Sequence, residues 1–223
     1  PSPAAAWTRP LKETPRLGFV FTGQAQWFAM GRKLIQQSHL YRQTLERCDA
    51  VLRSLPDGPD WTVLEELLRT EEASRLKETR LSQPICTAMQ LATVCLLKQW
   101  GIEPSAVVGH SSGEVAAAYA AGILTFENAM IAAYYRGLYM SSGVDGSMTT
   151  DGAMMAVGLT EAEAKKELET YTGQICVAAV NSASSLTLSG DKDAIVRLRD
   201  SLVERKIFAR LLQVAQAFHS HHM

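Results

Sequence analysis

The stretch "VVGHSSGEVAAAYAAG", residues 107–122, joins a short apolar run to an alanine-rich segment through a turn of small residues. Residues 109–113 match the pattern G-x-S-x-G. In a nucleophile elbow a strand ends, a sharp turn exposes a serine and a helix begins at once. The valines before the turn favour a strand, and the alanines after it favour a helix. The pattern predicts Ser111 as a nucleophile and the backbone N–H of Ser112 as an oxyanion donor. The alternative is a purely structural turn that packs a helix on a sheet.

A serine hydroxyl is a weak nucleophile until a base takes its proton. His39 is predicted on a helix surface, whereas His110 precedes the serine, points away from its Oγ and is expected to line the pocket. The other three histidines lie in "AFHSHH", residues 217–222, where the chain is expected to return from a small subdomain. One of these three is the candidate base, unless the segment is only a polar tail.

Upstream of the turn, the hydrophobic pattern predicts one buried strand and several helices. "LGFVFTG", residues 17–23, is typical of a strand that ends at a glycine. Helical spacing extends over residues 27–53 and continues over residues 61–79, whose charged face is expected to be solvated. Pro84 is predicted to open a long helix that Gly101 ends, because proline is favoured at the start of a helix and glycine just past its end.

A polar, glycine-rich loop over residues 141–152 precedes a different pattern. From there the predicted order is strand, helix, strand, strand, helix, strand, which is the split βαβ or ferredoxin-like arrangement. The first of these helices carries a capping box, with Thr160 as N-cap and Glu163 three residues on. The second is capped by Asp191 or Asp193. The sequence therefore predicts an α/β fold with an inserted ferredoxin-like subdomain.

Composition and charge exclude several classes of protein. The chain has 223 residues, 47% of them hydrophobic, and a net charge of −1 without a basic stripe, so nucleic acid is not expected as a partner. No apolar run approaches the ~20 residues that cross a bilayer, and no signal peptide is recognisable, so no membrane partner is expected either. The four cysteines have no CxxC spacing, which favours buried, reduced thiols in a cytoplasmic protein over disulfides or a zinc site.

Six segments occur in a recognisable order: "FVFTGQAQW", "LSQPICTAMQ", "GHSSGEVAAAYAAG", "YYRGLYM", "AAVNSASSLTLSG" and "QAFHSHHM". In that order they resemble malonyl-CoA:acyl-carrier-protein acyltransferase domains, most closely those of fungal-type iterative (type I) polyketide synthases. The resemblance runs from residue 16 to the end of the chain. It implies an α/β-hydrolase-like large subdomain over 17–152, a ferredoxin-like small subdomain over 153–214, and a return to the large subdomain over 215–223. Residues 1–16 resemble the linker from a ketosynthase domain.

The resemblance also implies catalytic roles. Ser111 would carry the acyl group, and His219 would serve as general base and acid. Gln24 would supply a second oxyanion-hole N–H beside that of Ser112. Because no acid in this chain completes a triad, we expect a Ser–His dyad.

Four further residues are implied to bind the substrate. Arg136 would hold the malonyl carboxylate, because only a guanidinium offers a rigid fork that meets both carboxylate oxygens. Gln83 and Asn181 would lie near the pocket. Phe218 stands in "QAFH", which resembles the "HAFH" of malonyl-selective domains, and its bulk would crowd an α-methyl group.

The implied reaction moves malonyl from malonyl-CoA, through the serine, to the phosphopantetheine thiol of an acyl carrier protein during polyketide biosynthesis. The domain itself is expected to hold no cofactor and no metal. An esterase or thioesterase that uses the same elbow, or a carrier-docking scaffold with impaired catalysis, are the alternatives.

The chain departs from the family pattern at two places. Residues 23–26, "GQAQ", are one residue shorter than the family's G-Q-G-x-Q. The sequence also stops at Met223, before further strands and helices of the family, so we expect a large subdomain truncated at its C-terminus.

Overall fold

The computed structural model describes residues 15–23, 28–142, 152–212, 214 and 216–223. Its internal contacts divide the chain into two units, Pro1–Ser141 and Ser142–Met223. Within the described ranges, no helix combines the length and the apolar character that crossing a membrane requires. Most of the predicted linker and most of the predicted glycine-rich loop fall outside the described residues, and the subdomain boundaries stay predictions.

In its described residues the first unit has two parallel strands and six helices. They are β1 (Gly18–Phe21), α1 (Arg32–Gln37), α2 (His39–Arg53), α3 (Val63–Leu68), α4 (Thr79–Gln99), β2 (Ala106–Gly109), α5 (Gly113–Ala120) and α6 (Phe126–Ser142). The register places Gly18 opposite Ala106 and Phe21 opposite Gly109. Since both strands run in the same direction, their carboxyl ends meet at one edge, and Ser111 follows β2 at that edge.

Helix α4 lies at the centre of the larger core of this unit. Its Leu81, Ile85 and Leu91 are fully buried and belong to one cluster with Leu45 of α2 and Met130 of α6. A second, smaller cluster packs α5 against β1 and α4 and consists of Phe21, Val94, Ala116 and Ala117. Small alanine side chains on α5 let that helix approach the strand closely, so the helix that follows Ser111 is held by packing on both neighbours.

The prediction that Pro84 opens the long helix was wrong. Helix α4 begins at Thr79, and Pro84 lies inside it. The first turn is already formed upstream, where the amides of Leu81 and Ser82 donate to the carbonyl of Glu78 at 3.0 and 2.8 Å. A proline in this part of a helix removes one hydrogen bond, to the carbonyl four residues earlier. Burial of almost every residue from Leu81 to Ala92 compensates for that loss.

Of the segment 61–79, only α3 and Thr79, the first residue of α4, are helical, and its charged residues are not all solvated. The chain leaves the helix at Arg69, whose ψ of 154° is extended. Glu66 is 1% exposed and forms ion pairs with Arg69 at 2.8 Å and Arg75 at 3.4 Å. A buried carboxylate requires such partners. Glu66 therefore binds the chain that follows α3 and is not part of a solvated helix face.

The described part of the second unit forms a four-stranded antiparallel sheet with two α-helices. Its elements are β3 (Gly152–Val157), α7 (Glu161–Leu168), a short 3-10 helix (Glu169–Tyr171), β4 (Ile175–Ser182), β5 (Ser185–Asp191), α8 (Lys192–Glu204) and β6 (Ala209–Leu211). The strand order is β4-β5-β3-β6, and every neighbouring pair is antiparallel. This is the ferredoxin-like order, so the predicted β-α-β-β-α-β arrangement is confirmed.

Local signals explain how this unit forms. Thr160 caps α7 with the predicted capping box: its hydroxyl accepts from the Glu163 amide, and the Glu163 carboxylate accepts from the Thr160 amide at 2.8 Å. The core comes from alternate residues of the strands and one face of α8, with Met155, Leu186, Leu188, Ile195 and Leu198 at 0–1% exposure. Asp191 is the N-cap of α8, but its side chain makes no capping hydrogen bond.

Candidate active site

Ser111 occupies a sharp turn between β2 and α5. Its φ is 51°, a left-handed conformation that costs non-glycine residues roughly 1–3 kcal/mol and is concentrated at functional sites. Neighbouring backbone hydrogen bonds hold this conformation. The His110 amide donates to the Phe21 carbonyl at 2.9 Å, and the Glu114 amide donates to the Ser111 carbonyl at 3.1 Å. The turn thus has the geometry of a nucleophile elbow.

The two glycines of the motif are required by close packing. A Cβ at Gly109 would lie 2.4 Å from the Glu114 backbone, and a Cβ at Gly113 would lie 2.3 Å from the Phe21 carbonyl oxygen. Both distances are shorter than real Cβ atoms allow. The turn can therefore be this tight only because these positions have no side chain.

Ser112 is positioned as a backbone donor. It is the N-cap of α5 and is 4% exposed. The next amides, of Gly113, Glu114 and Val115, donate to the carbonyls of His110, Ser111 and Ser112. The Ser112 amide donates to no backbone carbonyl within the described part of the chain, which leaves it available to a ligand oxygen. The positive end of the helix dipole adds to its attraction for an anion.

Gln24 lies outside the described residues, but its neighbour Gly23 is at the elbow. A Cβ at Gly23 would lie 3.0 Å from the His110 carbonyl oxygen and 3.3 Å from the Ser111 Cβ. The Gln90 side chain donates to the Thr22 carbonyl at 2.9 Å and so anchors this end of β1. Gly23, the last described residue before position 28, therefore lies beside the turn that carries Ser111.

Arg136 and Gln83 are brought together by the packing of α6 on α4. The Arg136 Nη1 donates to the Gln83 Oε1 at 2.5 Å. Gln83 is 1% exposed, and its amide nitrogen lies 3.2 Å from the Met140 Sδ. Because Gln83 is held on both sides, it orients the guanidinium. This contact gives Gln83 a concrete role that the sequence analysis did not assign.

Arg136 has no carboxylate partner among the residues that the structure describes. None of the ion pairs there includes it. Burial lowers the pKa of Arg136, although an arginine stays charged at any physiological pH. A half-buried guanidinium whose partner among the described residues is an amide oxygen is suited to receive an anionic group.

Residues 216–223 form a tight turn on the second unit, and His219 lies in it with a φ of 61°. The Ser220 hydroxyl donates to the Ala217 carbonyl at 2.6 Å and accepts from the His222 amide at 3.2 Å. The Cys176 thiol, on β4, donates to the His219 carbonyl at 3.3 Å. His219 is exposed, whereas Phe218 is 7% exposed.

The other predicted site residues have simpler surroundings. His110 is exposed at the end of β2. Asn181 is exposed on β4, and its amide donates to the Thr187 hydroxyl on the neighbouring strand at 3.0 Å, so here it stabilises a hairpin. His39 starts helix α2 and is exposed, as predicted.

Sequence reasoning missed the residues that hold the His219 turn. The cysteine spacing predicts a buried, reduced thiol at Cys176, but this thiol is half-buried and forms a hydrogen bond to the turn. Ser220 has no motif that would mark it as part of the site. A polar residue directly after a candidate base is the only signal that the sequence offers for it.

Comparison with known proteins decides the family. The family model described as "Acyl transferase domain" matches residues 18–223. The chain belongs to this acyltransferase family. The acyltransferase domain is 99% identical over 224 aligned positions to the hybrid PKS-NRPS synthetase pynA of Aspergillus niger, covering 100% of this chain and 6% of that protein. It is 64% identical to pyvA of Aspergillus violaceofuscus, covering 98% of this chain and 6% of that protein. The chain thus spans 6% of the length of these relatives.

Solved structures agree with this assignment. The acyltransferase domain from the second module of the salinomycin polyketide synthase has a TM-score of 0.81 and 34% identity, covering 95% of this chain and 47% of that one. The malonyl CoA-acyl carrier protein transacylase of Clostridium perfringens has a TM-score of 0.79 and 25% identity, and the match covers 93% of this chain and 64% of that one. The predicted α/β acyltransferase fold and the resemblance to polyketide synthases are confirmed.

Proposed function

We propose that this acyltransferase domain takes malonyl from malonyl-CoA as an ester on Ser111 and transfers it to the phosphopantetheine thiol of an acyl carrier protein. The observation that carries the proposal is the left-handed backbone of Ser111 at a strand–helix turn. The name of the Clostridium perfringens relative, a malonyl CoA-acyl carrier protein transacylase, supports the choice of substrates.

In the first half-reaction the imidazole of His219 accepts the Ser111 hydroxyl proton while Oγ attacks the thioester carbonyl carbon. The carbonyl oxygen becomes an oxyanion, which the Ser112 amide and the Gln24 amide stabilise. The C–S bond then breaks, and the coenzyme A thiolate takes the proton from His219. General-base assistance of this kind contributes about 10²–10⁴-fold to a rate, and one oxyanion donor about 10²–10³-fold.

In the second half-reaction the phosphopantetheine thiol attacks the ester. His219 takes the thiol proton and returns it to the Ser111 oxygen as the C–O bond breaks. The products are malonyl-thioester on the carrier and free serine. A Ser–His dyad is sufficient for both steps, because the same imidazole acts first as base and then as acid in each.

Arg136 selects acyl groups that carry a carboxylate. Bidentate pairing with the malonyl carboxylate would complete the coordination of a guanidinium that has one amide partner. Acetyl-CoA offers no such group and would leave the arginine without an anionic partner. Phe218, placed next to the base in sequence, would discriminate against an α-methyl group by about 1–3 kcal/mol. Malonyl is therefore preferred to both acetyl and methylmalonyl.

The domain is proposed to work in the cytoplasm as part of a multidomain synthase. Its four cysteines are free thiols, which suits a reducing compartment. Its working partners are malonyl-CoA and the carrier protein, whose phosphopantetheine supplies the only prosthetic group of the reaction. An adjoining ketosynthase, expected through residues 1–16, stays a prediction, and so do the roles of Asn181 and His110 in the pocket.

The test is intact-protein mass spectrometry after mixing with malonyl-CoA in the absence of a carrier. We expect one malonyl adduct on the wild type and on Ser112→Ala, since that substitution keeps the backbone N–H. We expect none on Ser111→Ala. An adduct that persists on Ser111→Ala would refute the choice of nucleophile.

The same mixture separates transfer from hydrolysis. A transferase accumulates the acyl-enzyme and loses it when carrier protein is added, with malonyl appearing on the carrier. Rapid release of malonate without a carrier would instead identify a thioesterase. Carrier binding with no adduct on any variant would identify a docking scaffold.

A further inference from the structure

A second cluster of chemically active side chains lies at the junction of β5 and α8. The His221 Nε2 is 2.9 Å from the Asp191 Oδ1, and the His222 Nε2 is 2.8 Å from the same oxygen. The two imidazole rings have their centroids 4.4 Å apart. All three ligand atoms lie within 4.8 Å of one another. No step of the proposed acyl transfer uses any of these groups.

The Asp191 carboxylate is available for this cluster because it does not cap its helix. It stands at the N-cap of α8 but makes no hydrogen bond to the helix amides. Its Oδ1 lies instead within hydrogen-bonding distance of both imidazoles. Two imidazoles and one carboxylate are a donor set that zinc-like ions use in proteins.

The cluster is open to an ion and to water. The His221 and Asp191 side chains are 46% and 41% exposed, and that of His222 is 17% exposed. A cleft of about 400 Å³ borders Asp191 and His222 and offers room for water ligands. Lys192 and Arg197 also line it, and the carboxylates of Asp191 and Asp193 balance their two charges.

We propose that Asp191, His221 and His222 form a binding site for one divalent transition-metal ion of the Zn²⁺ class, with water completing its coordination. A tetrahedral ion with bonds of roughly 2.0–2.1 Å holds its ligand atoms about 3.4 Å apart. The two nitrogen–oxygen separations must therefore widen by about half an ångström from 2.8 and 2.9 Å. Small rotations of three partly exposed side chains provide that movement.

Ion binding at this site joins the turn of residues 216–223 to the end of β5. The turn is internally held through Ser220, so an ion on His221 and His222 restrains the whole segment. The cysteine spacing of the sequence predicts no metal site, and these ligands do not involve a cysteine. They are separated by 30 and 31 positions in the chain and meet only through the fold.

The test is titration of the protein with Co²⁺, a spectroscopic substitute for Zn²⁺, in the absence of coenzyme A. The difference in cobalt absorption between the wild type and Asp191→Asn reports on this site and not on other sites that bind the ion. Wild type should show the intense visible absorption of a four-coordinate cobalt site at one equivalent, and Zn²⁺ should abolish it. Loss of one ligand in Asp191→Asn or His222→Gln should weaken binding by at least about tenfold.

Two controls keep the outcome interpretable. His39→Gln removes an exposed histidine elsewhere and should titrate like the wild type, and so should Cys176→Ser, whose thiol is not a ligand. Asparagine keeps an oxygen that imidazole N–H groups can reach, so Asp191→Asn should retain its circular dichroism spectrum without metal. If Asp191→Asn loses that spectrum, His221→Gln takes its place as the ligand variant in the titration. Equal cobalt binding by the wild type and the ligand variants, or no four-coordinate spectrum in the wild type, would overturn the proposal.

Discussion

Arg136 is half-buried in α6, with Gln83 as its hydrogen-bond partner and no acidic partner among the described residues. Replacing it with alanine should reduce the rate of malonyl loading while leaving acetyl loading close to the wild-type rate. A hydrogen bond to a charged group is worth about 1.5–3 kcal/mol, which corresponds to roughly 10–150-fold. Stopped acylation reactions with the two thioesters, followed by mass spectrometry, measure the ratio. Equal losses for malonyl and acetyl would show that Arg136 supports the fold instead of the carboxylate.

Under the proposed function, Gln83 acts on the substrate through Arg136. In Gln83→Leu the guanidinium keeps its charge but loses the oxygen that orients it at 2.5 Å. We expect malonyl loading to fall by about tenfold, less than in Arg136→Ala, and the double variant to be no worse than Arg136→Ala alone. The measurement is the rate of malonyl loading by the wild type, the two single variants and the double variant, compared in a double-mutant cycle. Additive losses would mean that the two side chains act independently.

At the scale of the element, the strand–turn–helix around Ser111 depends on the close approach of α5 to β1. A Cβ at Gly113 would lie 2.3 and 2.5 Å from the carbonyl oxygens of Phe21 and Thr22, which are backbone atoms that cannot rotate away. Gly113→Ala should cost about 1–3 kcal/mol of unfolding free energy and should also remove malonyl loading, because the helix must shift. Gly18→Ala is the matched control, since its Cβ would meet nothing closer than 4.0 Å. Urea unfolding of both variants tests this, and equal stability of the two would contradict it.

The elements that sequence could predict are those whose signals are local. The valine run, the spaced glycines and the alanines around Ser111 identify the elbow, and Thr160 with Glu163 identifies the start of α7. The start of α4 and the end of α3 escaped prediction, because burial of α4 tolerates Pro84 inside it and because Glu66 is paired with arginines. Periodicity describes one helix at a time and carries no information about such partners.

At the scale of the molecule, the sequence pattern likewise does not predict which distant residues of the site are in contact. Ser111 and Ser112 are adjacent and could be recognised together. Gln83 and Arg136 are 53 positions apart, and their contact exists only because α4 packs on α6. The cluster of Asp191 with the two histidines likewise joins the end of β5 to the last turn of the chain. Long-range pairs of this kind follow from the register of packed elements, which the hydrophobic pattern of a single chain does not specify.

The two units have separate hydrophobic cores, so each should respond to damage in its own core. Leu188 is fully buried in β5, and Leu188→Ala should cost about 2–5 kcal/mol, because it leaves a cavity that the sheet cannot close. Hydrogen exchange should then accelerate in β3 and β5 while the amides of α4 stay protected. The reciprocal variant, Leu91→Ala, removes an equally buried side chain from α4 and should accelerate exchange there. If Leu188→Ala exposes the amides of α4 as strongly as those of β5, the two cores unfold as one cooperative unit and the separation is wrong.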